Sequence, residues 1–389
     1  MNIPMAAPDI TDEEIEAVVS VLRTPVLSIG PRLRGFELAV AKYVGARFGV
    51  GVSSGTAGLH LSMIAAGVGA GDFVVTSPFS FVASANCILY QGAIPLFADI
   101  DSRTFNMDPE CVEKAFLRLG KHSGRRIKAI LPVHIFGQPA DMDPICDIAR
   151  RHHLPVIEDA CEAIGAEYRG RRVGAIGDAG VFAFYPNKQM TTGEGGMITT
   201  QRPDWQALFE SLRNQGRDVF DGWLTHSRLG YNYRLDELRA ALGFVQVGRL
   251  DELLFRRARV AGWYTTRLRG LTGVKVPFIN MSTTRMSWFV YVVRLDPGID
   301  RDSVIRQLEA RAIPSRPYFC PIHVQPFYRD RFGFAPGDFP EAEAAGRSCL
   351  ALPFSGHLTE TQVDTVCGAL AETLADCRAV TLGRMALGA

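Results

Sequence analysis

The chain has 389 residues, 47% of them hydrophobic, which suffices for two domains with substantial cores; its formal net charge of +1 gives no global field for nucleic acid or for an anionic membrane surface. No run of about 18 apolar residues occurs, which argues against a membrane span, and Met1 to Ile10 lack the basic-then-apolar pattern of a secretory signal. The eight cysteines (Cys87, Cys111, Cys146, Cys161, Cys320, Cys349, Cys367, Cys377) form no CxxC pair, which argues against a metal centre or a disulfide framework and for thiols kept reduced in the cytoplasm.

In chain order, the short apolar and β-branched runs Phe48–Val52, Phe73–Thr76, Ile94–Phe97, Ile127–Val133 and Pro155–Glu158 read as strands. Helical patterns alternate with them over Ala57–Ala66, Phe81–Tyr90, Pro109–Leu119 and Ile145–His152. That alternation predicts an α/β fold: a mostly parallel sheet with helices on both faces. Val181–Tyr185 and Gly196–Thr200 add two strands around a glycine-rich turn. From Leu235 to Leu268 helical character is nearly continuous, with Gly248 marking a break or bend. A smaller α+β unit follows, with a strand at Trp288–Arg294, a helix at Asp302–Arg311 and a closing helix from Glu360 to Leu374; Arg378–Ala389 reads as a frayed tail. The division expected is a large domain over 1–250 and a small one over 251–389.

Ligands of open α/β sheets sit at the carboxyl ends of strands, which selects three segments. Ser53-Ser54-Gly55-Thr56-Ala57 lies between a strand and a helix. It reads either as a plain helix cap or as a phosphate cradle, in which Gly55 permits close backbone approach and Thr56 and Ala57 present free N–H groups. No GxxxxGK[ST] loop is present. Asp159, in Val156-Ile157-Glu158-Asp159-Ala160, falls at a strand end. It is either a solvated turn acid or a carboxylate pointing into the crevice, with Glu158 facing the other way. Lys188 is one of only six lysines, and it directly follows a very apolar strand and precedes a glycine-rich turn. Desolvation there favours an uncharged amine nucleophile over an exposed loop lysine.

Together these segments resemble the DegT/DnrJ/EryC1/StrS family, the sugar aminotransferases of the aspartate-aminotransferase fold. The resemblance runs along nearly the whole chain. It rests on Ser54-Gly55-Thr56-Ala57, Pro78-Phe79-Ser80-Phe81-Val82-Ala83, Pro132-Val133-His134 with Gly137-Gln138-Pro139, Glu158-Asp159-Ala160, Lys188 with Gly193-Glu194-Gly195-Gly196, Gly230-Tyr231-Asn232-Tyr233-Arg234, and Leu352-Pro353. It implies that Lys188 bonds covalently to the aldehyde of pyridoxal 5'-phosphate (PLP) and then moves the proton between substrate and cofactor carbons. It implies that Asp159 keeps the pyridine nitrogen protonated. Phe81 should stack on the ring, and Ser54, Gly55, Thr56 and Ala57 should hold the phosphate. Asn232 should reach the phosphate of a neighbouring subunit, making a homodimer with shared sites.

Two positions qualify this expectation. Ala183 stands where many relatives have a phosphate-binding serine, so a hydroxyl contact should be missing. Glu162 lies near the cofactor's phenolic oxygen, where it is expected protonated or sharing a proton. Tyr318 and His323 match a segment that lines the sugar site in relatives; a substrate role and simple loop packing both stay open. Arg234 meets either a substrate anion or a structural partner, His134 packs behind the cofactor, and His152-His153 end a helix in solvent. The implied reaction passes an amino group from an amino acid, L-glutamate by resemblance, to a nucleotide-linked keto-sugar. Thr191-Thr192-Gly193-Glu194-Gly195-Gly196 resembles the branch that acts at carbon 4 of 4-keto-6-deoxy sugars, perosamine synthases among them. The alternatives are a 3-keto-sugar or keto-cyclitol acceptor, and a non-enzymatic regulator that only holds PLP. A sugar dehydratase on the same scaffold would carry histidine in place of Lys188.

Overall fold

A computed structural model of the protein describes residues 3–119, 126–218 and 225–387. Its centre is a sheet of β1 (Phe48–Val52), β2 (Phe73–Thr76), β3 (Ile94–Phe97), β4 (Ile127–Leu131), β5 (Ile157–Asp159), β6 (Ala179–Ala183) and β7 (Gly196–Thr200). Strands β1, β7, β6 and β5 are hydrogen-bonded in that order, as are β3, β2 and β4. The two ladders join between β4 and β5, where Asp159 N–H donates to Pro132 O at 2.9 Å and His134 N–H to Asp159 O at 3.0 Å. The expected, mostly parallel arrangement holds, except that β7 runs antiparallel to both β1 and β6.

Successive strand residues face opposite sides, and the core divides accordingly. Val181 pairs with Ile198 and Phe182 with Met197. The first pair packs with Leu59, Leu61 and Met63 of the helix Gly55–Ala65 and with Trp205 and Phe209 of the helix Pro203–Arg213. The second packs with Leu33, Phe36 and Val40 of the helix Pro31–Val44 and with Leu253 and Leu254. Burial on both faces explains why these strands read as unbroken apolar runs.

The long helical stretch is two helices, Glu237–Gly248 and Leu250–Leu268, meeting at Arg249. The Arg249 guanidinium is held by Asp9 at 2.8 Å and by the buried Glu14 at 2.6 Å. Beyond it, Tyr291–Leu295 pairs with Val274–Lys275 and with Cys349–Leu352, which also pairs with Arg316–Pro317. Its core takes in Tyr264, Leu308, Val363 and Leu370, and also Ile3 from the start of the chain. The strand begins at Tyr291 rather than Trp288 because the carbonyls of Trp288 and Phe289 are spent on Arg257. The frayed tail is corrected too: the closing helix runs from Glu360 to Leu387, and the last two residues lie outside the described ones. Among the described residues no helix is long and apolar enough to cross a membrane.

Candidate active site

A cavity of about 420 Å³ opens at the carboxyl ends of β5 and β6 and gathers Ser54, Gly55, Thr56, Phe81, Asp159, Glu162, Ala183, Lys188 and Tyr318. Ala57, Asn232 and His323, also singled out in the sequence, are not among its lining residues.

Ser54 caps the helix Gly55–Ala65, its hydroxyl accepting from Ala57 N–H at 3.1 Å. Ala57 does not line the cavity. Its N–H is satisfied by the cap and its side chain is buried, leaving Gly55 and Thr56 as the first-turn residues whose N–H groups lack an intrahelical acceptor. A Cβ on Gly55 would lie 2.8 Å from both Ala183 Cβ and Cys161 Sγ, so only glycine lets this turn approach β6 so closely. Phe81, 60% exposed, stands at the rim.

Asp159 is 5% exposed, and so is no solvated turn acid. Its Oδ2 accepts from Ser84 Oγ at 2.6 Å and its Oδ1 from Cys161 N–H at 3.2 Å; Ser84 in turn contacts Ser80 Oγ at 2.8 Å. Glu158 faces the other way, as the strand alternation requires. Its carboxylate accepts from the N–H groups of Gly174, Ile176 and Gly177 at 2.7–2.8 Å and meets His134 Nε2 at 3.0 Å. Because His134 Nδ1 accepts from Ala140 N–H at 3.0 Å, Nε2 carries the hydrogen toward Glu158. His134 is fully buried and outside the cavity lining.

Lys188 follows β6 in a loop, and its Nζ lies 3.7 Å from Glu162 Oε1 and 3.9 Å from the Phe289 ring centroid. Glu162 Oε2 accepts from Phe136 N–H at 2.9 Å. Burial pushes the Glu162 carboxyl above its ordinary value, opposed by the Lys188 ammonium and the Phe136 N–H. Tyr318 is pushed up to about 12, chiefly by burial and then by the Glu162 charge. Beside Lys188, Asn187 lines the same cavity with its Oδ1 buried and unpartnered.

His323 does not line the cavity. It is fully buried, with Nε2 3.2 Å from Glu343 Oε1 and its ring edge-on to Phe339, so it packs the loop whose Tyr318 and Phe319 face the cavity. Asn232 is exposed, bridged to Asn214, while Tyr231 and Tyr233 stack on each other and meet His60 edge-on. Arg234 donates to Asn214 Oδ1 at 3.2 Å; His152 and His153 are exposed at the helix end, as expected, with the His152 ring stacked on Phe116. Ser84, Asn187 and Phe289 were not legible as site residues. Ser84 had a signal, four residues after Ser80 at the entry to a helix; Phe289 comes from a sequence-distant segment with none.

The model of the DegT/DnrJ/EryC1/StrS aminotransferase family matches residues 8–371. The chain is 42% identical over 377 residues to GDP-perosamine synthase of Caulobacter vibrioides, covering 96% of this chain and 98% of that one. Its fold superposes on DesV of S. venezuelae, solved in complex with a ketimine intermediate, with a TM-score of 0.86 and 35% identity over 93% of this chain and 94% of the other. The PLP form of Spr1654 from Streptococcus pneumoniae, described as a sugar aminotransferase, gives a TM-score of 0.90 at 26% identity over 97% and 100% of the two chains. A half-buried amine and two buried acids at the strand ends of this sheet, together with these matches, mean that the chain belongs to the DegT/DnrJ/EryC1/StrS aminotransferase family and is an enzyme of the aspartate-aminotransferase fold, fold type I.

Proposed function

We propose that this enzyme is a PLP-dependent transaminase that moves an amino group from L-glutamate to carbon 4 of a nucleotide-linked 4-keto-6-deoxy sugar. The observation that carries the reading is the meeting, in one cavity, of the Lys188 amine, the Asp159 carboxylate and the helix start at Gly55 and Thr56. This set fits PLP. The first-turn N–H groups of a helix suit a phosphate, a buried carboxylate already oriented by Ser84 and Cys161 suits a protonated ring nitrogen, and the volume lies within the range of about 300–1,000 Å³ usual for small-molecule sites. The likeness to a GDP-perosamine synthase supports the nucleotide-sugar acceptor, and the resemblance of the turn at 191–196 to the carbon-4 branch is the ground for the position.

When bound, PLP supplies an electron sink for the carbon whose proton is removed. Lys188 would hold the cofactor covalently, and its amine is the base placed to move the proton. Asp159 would face the ring nitrogen, its two oxygens held in place by the donors Ser84 and Cys161. Ser54 orients the helix start by capping it, and Ala183 leaves room there without adding a donor. Glu162 sits within reach of the Lys188 amine and holds or shares a proton there. Phe81 would lie against the ring from the rim, and Tyr318 would face the substrate. Asn232, exposed in the single chain, reaches the phosphate of a second copy, so the working unit is a cytoplasmic homodimer with shared sites. Residues 1–250 form the cofactor domain and 251–389 the smaller one.

The acceptor is tested by incubating the purified enzyme with glutamate and a panel of keto-sugar nucleotides. Amination at carbon 4 is the expected product. Amination only at carbon 3, or only of a keto-cyclitol, would overturn the regiochemistry or the acceptor class. A visible cofactor band that glutamate fails to bleach would instead mark a protein that holds PLP without transferring nitrogen.

A further inference from the structure

Arg257, on the helix Leu250–Leu268, is 4% exposed and enters no ion pair among the described residues. Its guanidinium is spent on main-chain carbonyls instead. Nη1 donates to Trp288 O at 3.3 Å and Phe289 O at 3.1 Å, and Nη2 donates to Lys188 O at 2.8 Å. The Phe354 ring lies 5.6 Å away. Burial pulls this guanidinium down to about 10, still cationic at neutral pH. A buried cation with no carboxylate in direct contact is costly, and apolar packing would stabilise a core as well or better. What the guanidinium provides is a rigid planar fork, and its two ends hold the two backbones that matter most here. One belongs to Lys188. The other belongs to Phe289, whose ring centroid lies 3.9 Å from the Lys188 amine. Gln189 adds a second tie between the same segments, its Nε2 donating to Ser287 Oγ at 2.8 Å and to Ser287 O at 3.0 Å.

We infer that Arg257 is a positioning residue: it clamps the main chain of Lys188 to that of Phe289 and thereby fixes the reactive amine over the phenyl face. The inference rests on the reading that Lys188 carries the cofactor. Arg257 does not line the cavity and acts only through the groups it holds.

The test uses holoenzyme carrying Arg257→Lys, which keeps the charge but loses the fork, or Phe289→Leu, which keeps the clamp but removes the ring. The other ionisable groups of the cavity, Asp159, Cys161, Glu162, Tyr185, Glu194 and Tyr318, are unchanged in both. A phenyl face favours the charged form of a nearby amine, so both variants should move the pH midpoint of the visible cofactor band downward by about half a unit or more. Arg257→Lys should also lower kcat by about tenfold or more, while KM for the amino donor changes less than about threefold. A purely structural role predicts a lower unfolding temperature with kcat and midpoint at wild-type values, and that result overturns the inference. Should Arg257→Lys not accumulate as folded protein, Phe289→Leu decides: an unmoved midpoint overturns the inference. A wild-type enzyme with no visible band, or one whose band survives Lys188→Ala, sinks the cofactor reading itself and is told apart on that ground.

Discussion

One part of the cavity lining, Ser54 to Thr56 with Ala183, contributes backbone N–H groups and small side chains; another, the buried Asp159 and Glu162 with the half-buried Lys188, contributes ionisable groups. The first part works by shape, because Gly55 is pressed against Ala183 and Cys161 with no room for a methyl group. The second works by electrostatics, since each of its charges is held by a donor, an acid or a ring at a defined distance. Substitutions in the two parts should therefore fail differently: loss of chemistry with the fold intact in one, loss of packing in the other.

The largest effect belongs to Lys188→Ala, which should abolish the visible band and lower transaminase activity by at least about 10³-fold while the unfolding temperature of the apoprotein changes little. Asp159→Asn comes next. The amide oxygen still accepts from Ser84, so the fold should persist, while loss of the charge costs about 10- to 10³-fold in kcat/KM. Retained activity in that variant would place the decisive charge elsewhere.

Gly55→Ala probes the other part. It should destabilise the protein by about 1–3 kcal/mol through overpacking, and Cys161→Ala in the same chain should recover part of that loss, since Cys161 Sγ is one of the two atoms in the way. Denaturant unfolding of the single and double variants measures it; equal stability of Gly55→Ala and wild type would show that the approach is not tight. The smallest effect is in Glu162→Gln. A carboxyl raised in the folded state contributes stability below its ordinary value of 4.5 that is lost as pH rises through the raised one. The variant should match wild type at pH 4 and gain on it progressively at higher pH in apoprotein melting curves. A difference independent of pH would contradict the assignment.

Much of the shape-dependent part is written locally in the sequence. The strands Phe48–Val52, Phe73–Thr76, Ile94–Phe97 and Gly196–Thr200 coincide with their apolar runs because the sheet is buried on both faces. The cradle was legible from Gly55 at a strand-to-helix junction, although which N–H the Ser54 hydroxyl takes depends on rotamer rather than spacing. By contrast, the helix Asp12–Leu22 carries a capping box, Thr11 with Glu14, that a search led by strands passes over. The charge-dependent part was legible in Lys188 and Asp159 but not in the groups that hold them. Ser84, Phe289 and Arg257 arrive from separate elements, and side chains that act through one backbone carbonyl or one ring face leave no motif. His323 shows the converse: a segment can match while the residue within it turns inward to Glu343.

The central claim is that one particular amine holds the cofactor. Borohydride reduction of the PLP-loaded enzyme, followed by peptide mass mapping, should leave a single reduced pyridoxyl adduct on Lys188; an adduct on any other lysine, or none, would contradict it.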